Sequence, residues 1–116
     1  MPITPKKQPR PPRHLQAATR KWWASVVRDY VLADHHILLL TAAAESLDRA
    51  AMAREAVLKD GAFFIDRHGS RKPHPGLMVE RDNRALFSKL LRELDLDTEP
   101  APPAPRGPNL KRFGGK

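Results

Sequence analysis

The chain contains no cysteine, which excludes a disulfide framework and any zinc site built on thiolates. It also lacks long apolar runs. None exceeds four residues, Ile37 to Leu40 being one of them, far short of the ~20 that a membrane-crossing helix needs. The N-terminal MPITPKKQPRPPR has no apolar stretch behind its charges and so does not read as a secretory signal. No glycine-rich phosphate loop, Walker lysine, nucleophile elbow, His-Glu-x-x-His or EF-hand pattern occurs, and the carboxylates are scattered rather than paired. These absences lead us to expect a soluble, intracellular, non-enzymatic chain that uses no cofactor or metal.

Acid is missing from both ends. Residues 1–28 hold seven basic side chains (Lys6, Lys7, Arg10, Arg13, Arg20, Lys21, Arg28) and no aspartate or glutamate. Residues 100–116 hold four more (Arg106, Lys111, Arg112, Lys116), again without acid. The stretch between them has ten basic and thirteen acidic residues, so the net charge of +8 belongs to the ends. Segregated positive charge is the footprint of a polyanionic partner, because each neutralised phosphate releases condensed counterions. The competing readings are a tail that only keeps a small protein soluble and, more weakly, an anionic membrane surface.

The 116 residues allow one small domain. Residues 1–13, with five prolines and four basic side chains, cannot bury enough apolar surface to order themselves and read as a flexible arm. Residues 100–116 combine a proline-rich spacer with a basic tip that also carries Leu110 and Phe113. The domain is expected over residues 14–99 and mainly α, with three helices at about 15–31, 34–60 and 75–94. In the first, Ala18, Trp22, Val26 and Tyr30 recur every four residues, widened by Trp23 and Val27. The second starts at Asp34 as N-cap and stops at Gly61 in a left-handed C′ position. Its seam is Leu40, Ala44, Leu47, Ala51 and Leu58, and its alanines allow another helix to approach closely. The third begins at Pro75 and aligns Val79, Leu86, Leu90 and Leu94.

Residues 62–73 read as a small β-hairpin. Ala62 to Ile65 is aromatic and β-branched, Asp66 to Ser70 is turn chemistry, and Pro73 limits the second strand to an edge. His68, His74, Asp66 and Glu80 invite a metal reading, but their spacing lets them meet only if the hairpin folds back onto the third helix. The histidines are expected to shape the corner instead.

Taken together, PPRHL before a tryptophan helix, LADHHILLLTAAAESLDRA, and KPHPGLMVERDNRALFSKLLRELDLD resemble the small subunit of the tailed-phage DNA-packaging terminase. The resemblance covers roughly residues 11–99, and Lys72-Pro73-His74-Pro75 with the helix that follows is its most specific part. HPGL stands where HPAL is usual, and Gln16 stands where a serine or threonine cap is usual. What the resemblance implies is a helix, a long helix, a hairpin and a final helix in that order, in a ring-shaped homo-oligomer that binds double-stranded viral DNA at the packaging start site. It also implies a role in recruiting and regulating the large subunit, which carries the ATPase and nuclease, in the host cytoplasm. A small helical nucleic-acid-binding regulator unconnected with packaging is the alternative.

On these readings the expected DNA contacts are Lys6, Lys7, Arg10, Arg13, Arg20, Lys21 and Arg28, with Arg67, Arg71 and Lys72 of the hairpin as a second patch. Subunit packing is expected at Trp22, Val26, Leu40, Ala44 and Leu47, each of which faces either its own core or a neighbour. Large-subunit docking is expected at Leu110, Lys111, Arg112 and Phe113.

Overall fold

A computed structural model describes residues 8–96. Within them the chain forms α1 (Ala17–Asp29), α2 (Asp34–Asp60), β1 (Phe63–Ile65), β2 (Arg71–Pro73) and α3 (Pro75–Leu94). This is the mainly helical order expected, with the two-stranded antiparallel hairpin between the second and third helices. Lys6, Lys7 and residues 110–113 lie outside the described residues.

Helix α1 has no side-chain cap of its own at Gln16 and no acid in its first turn. The acceptor comes from α2 instead. Asp48, only 8% exposed, takes the Gln16 backbone N–H on one carboxylate oxygen at 2.8 Å and the Thr19 hydroxyl on the other at 2.5 Å. A carboxylate at the positive end of a helix also complements the helix dipole. His14 Nε2 meets Glu45 one turn earlier on α2 at 2.8 Å. These contacts set the rotation of α1. Its buried face is Thr19, Trp23, Val26 and Val27, whereas Ala18 and Tyr30 of the expected stripe are exposed and Trp22 is half-buried.

Helix α2 is capped by Ala33, so Asp34 is its first residue and not its N-cap. Alanine offers no acceptor. The local substitute runs the other way, the Ala33 N–H donating to His36 Nδ1 at 3.1 Å. At the far end Gly61 closes the helix at φ 90°, ψ 152°. That conformation favours glycine, but it is extended in ψ rather than left-handed helical, and it leads straight into β1.

The core gathers at one end of the molecule. Leu15, Trp23, Val26, Val27, Leu40, Ala44 and Leu94 are buried together, with Trp22, Leu32, Ile37, Leu39, Leu91 and Leu96 packed around them. The Trp23 indole N–H is satisfied by the Thr41 hydroxyl at 3.2 Å, and Trp22 meets Phe87 with ring centroids 5.6 Å apart. Beyond Asp48, α2 continues without α1 beside it and packs on α3 alone.

There the spacing is set by small residues. Ala50, Ala53 and Gly76 are buried, and a Cβ on Gly76 would sit 3.0 Å from the Ala53 carbonyl oxygen, the His74 ring and a Val57 methyl. Glycine at this position thus lets the first turn of α3 close on α2. Leu58, Val79 and Leu86, expected in the seams, are instead 71%, 42% and 38% exposed.

Candidate nucleic-acid interface

Four of the expected DNA contacts present exposed side chains on or before α1: Arg10, Arg13, Lys21 and Arg28. Lys21 and Arg28 are seven residues apart and therefore share the outward face of the helix, together with Ala17. Arg20 is turned back. Its guanidinium donates to the carbonyls of Arg13 and Leu15, both at 3.2 Å, and so helps to fix the chain where the arm joins the domain. Arg28 pairs with its neighbour Asp29 at 3.0 Å, an exposed contact that water and salt weaken readily.

The hairpin carries the second basic group. Asp66 holds its turn by accepting the backbone N–H groups of His68 and Ser70, both at 2.9 Å, while Gly69 adopts φ 80°. At the base, the His74 N–H donates to the Ala62 carbonyl at 2.7 Å. Register pairs Phe63 with Pro73, Phe64 with Lys72 and Ile65 with Arg71. Residues opposite each other share a face of the ladder and successive residues alternate. Phe63, Ile65 and Arg71 therefore lie on one face, where the Arg71 guanidinium sits 4.5 Å from the Phe63 ring centroid. Phe64 and Lys72 occupy the other. Arg71 and Lys72 do not form one patch, and Arg67 is exposed at the tip.

The two basic groups are not brought together. The start of α1 is pinned at Asp48, and the hairpin follows Asp60; at ~1.5 Å per residue this is roughly 18 Å of helix.

His74 has two roles in the hairpin-to-helix corner. Its Nδ1 accepts the Gly76 N–H at 2.8 Å, capping α3, and its Nε2 meets Asp60 of α2 at 3.0 Å. The ring thus joins the end of one helix to the start of the next. Among the described residues no group of three histidine, aspartate or glutamate side chains is placed to hold a metal ion, and no helix is long and apolar enough to cross a membrane.

Val26, Leu40 and Ala44, three of the expected subunit contacts, lie in the chain's own core, Trp22 is half-buried against it, and Leu47 is half-buried. The large apolar side chains left outside are others. Val31 is fully exposed, Leu38 is 73% exposed and Ile65 65%, and Tyr30, Phe63 and Phe64 are also open. Apart from Tyr30, which lies on the α1 stripe, periodicity does not single these out, because an apolar residue off the stripe looks the same whether solvent or a neighbour covers it. The missing cap at Gln16 was the one visible hint of the Asp48 contact. No protein-family model, curated protein or solved structure matches the chain.

Proposed function

We propose that this chain is the small subunit of a tailed-phage DNA-packaging terminase, a non-enzymatic homo-oligomer that binds viral DNA in the host cytoplasm and regulates a motor subunit. The observation that carries this reading is the element order: helix, long helix, hairpin, helix, with Lys72-Pro73-His74-Pro75 at the corner between hairpin and last helix. That is the order the resemblance implies, and His74 gives the corner a structural reason to hold those residues.

DNA binding on this reading runs through the acid-free N-terminal region. Arg10, Arg13, Lys21 and Arg28 hold exposed charge next to an arm that adds Lys6 and Lys7. Each contact with phosphate is weak and independent of sequence, and several copies of the chain multiply it. Large-subunit docking falls to Leu110, Lys111, Arg112 and Phe113.

The test is duplex-DNA binding by fluorescence anisotropy over a salt series, with the full chain and with residues 1–13 deleted. Deletion weakens binding and flattens the salt slope by about 0.9 for each phosphate that is no longer neutralised; an unchanged slope overturns the assignment. Deleting residues 106–116 leaves DNA binding in place and removes stimulation of the large subunit's ATPase. The second reading, a helical nucleic-acid-binding regulator outside packaging, is favoured by the basic ends taken alone. DNA binding by a chain that neither binds nor stimulates a large terminase subunit supports it.

A further inference from the structure

Besides the exposed Met52, Leu58, Met78, Val79 and Leu86 of α2 and α3, exposed apolar side chains form two patches at opposite ends of α2. At its start, Tyr30, Val31, Leu32, Ile37 and Leu38 line an open groove of about 750 Å³ between the end of α1 and the first turns of α2, with Gln8 and Pro9 also on its wall. Val31 is fully exposed and Leu38 73% exposed, and the charged side chains on the groove are the paired Arg28 and Asp29 together with Asp34, one net negative charge. At the other end, one face of the hairpin presents Phe63 and Ile65 beside Arg71, with Arg67 at the tip. The groove is apolar with one net negative charge at its rim; the hairpin face is apolar with basic residues beside it.

The two patches are complementary but cannot meet within one chain. From Leu38 to Asp60 the helix rises about 33 Å, while the hairpin, five residues from Phe63 to the tip, extends at most ~17 Å from its base. A two-stranded hairpin alone is also marginally stable in water, yet this one exposes every large apolar side chain on its first strand.

We propose that the Phe63–Ile65 face of the hairpin of one copy seats in the Tyr30–Leu38 groove of the next, with Arg67 and Arg71 facing Asp29 and Asp34. The contact is head-to-tail: each copy offers a hairpin at one end and a groove at the other. Such a heterologous interface propagates, and it closes into a ring when the rotation between copies allows. This inference rests on the self-association in the proposed function and on nothing about DNA or packaging.

The test uses two variants of the full chain, one with Phe63→Thr and Ile65→Thr, the other with Val31→Gln and Leu38→Gln. All four positions are surface-exposed, and circular dichroism and melting temperature confirm that each variant folds. Light scattering at micromolar concentration is expected to give a multi-subunit species for the parent chain and a monomer for each variant. An equimolar mixture is expected to give a dimer, twice the chain's 13.1 kDa, because one intact hairpin and one intact groove remain.

A parent chain that is monomeric overturns both self-association and this interface. A parent oligomer with either variant still fully assembled overturns the interface alone, as does a mixture that stays monomeric. If the groove instead holds the Leu110–Phe113 segment of the next copy, deleting residues 106–116 disassembles the oligomer; that result also overturns the proposal, which expects the deletion to leave it intact.

Discussion

The two halves of α2 are covered differently. Its first half lies between α1 and the last turns of α3, and there Trp23, Val26, Leu40, Ala44 and Leu94 are buried with the buried carboxylate of Asp48 tying the helices together. Its second half meets only the first turns of α3 and ends beside a hairpin whose Phe63, Phe64 and Ile65 face outward. Small residues at Ala50, Ala53 and Gly76 hold that pair of helices close, and bridges such as Arg84 to Glu80 and Arg49 to Asn83 decorate it. The first half owes its stability to volume and buried hydrogen bonds, the second to close spacing and a cap. A chain this small buries only about 60% of the surface it exposes when unfolded, and the deficit is concentrated in the second half and in the groove at the start of α2.

The largest effect that this contrast predicts is at Trp23. Trp23→Ala removes a side chain 1% exposed together with its bond to Thr41, and should cost about 3–5 kcal/mol in urea unfolding. Phe64→Ala, on the hairpin and 46% exposed, should cost well under that, and equal losses would erase the contrast. Asp48→Ala comes next. It leaves the Gln16 N–H and the Thr19 hydroxyl without their acceptor, and should cost about 2–3 kcal/mol. A double-mutant cycle with Thr19→Val should show coupling of roughly 0.5–3 kcal/mol; strict additivity would show that Asp48 and Thr19 do not act as a pair.

Two smaller effects belong to the other half. Gly76→Ala should destabilise by about 1–2 kcal/mol, since the new methyl meets a helix carbonyl that cannot yield cheaply. A gain in stability would mean that α3 moves away from α2 without loss. His74→Ala removes the α3 cap and should cost ~1 kcal/mol, whereas His74→Asn, among the best cap residues, should recover most of it. Amide exchange in the first turn of α3 reads this directly, and no recovery with asparagine would place the role of His74 in its bond to Asp60 instead.

Element order was legible in the sequence because its signals are local. Gly61, the turn from Asp66 to Ser70 and Pro75 mark boundaries by backbone chemistry, and the helix periods fill the space between. The facing of α1 was less legible. Its expected stripe centres on Trp22, but the buried face centres on Trp23, because Thr19 turns inward to a carboxylate 29 residues away. Apolar periodicity does not register a buried polar pair. Leu58, Val79 and Leu86 lie on their helical stripes and are nevertheless exposed, since apolar periodicity does not show where a neighbouring helix ends.

For the interface, the basic side chains on α1 were readable as charge without acid, but the inward turn of Arg20 depends on carbonyls that only the fold positions. Val26, Leu40 and Ala44 read equally well as core or as subunit contacts, and only the fold shows them buried within the chain; of the exposed apolar residues, Val31 and Leu38 lie off the helical stripes, whereas Tyr30 lies on one.

The proposed interface makes the core around Trp23 and Ala44 complete within one chain, and leaves the hairpin and the Tyr30–Leu38 groove to be covered by a second copy. Hydrogen exchange on the full chain at a low and at a much higher protein concentration tests it most directly. The account predicts that amides of Phe63–Ile65, Arg71–Lys72 and the Tyr30–Leu38 segment gain protection as concentration rises, while those of the core helices around Trp23 and Ala44 stay as they were. Protection of the hairpin and the groove that does not change with concentration would contradict it.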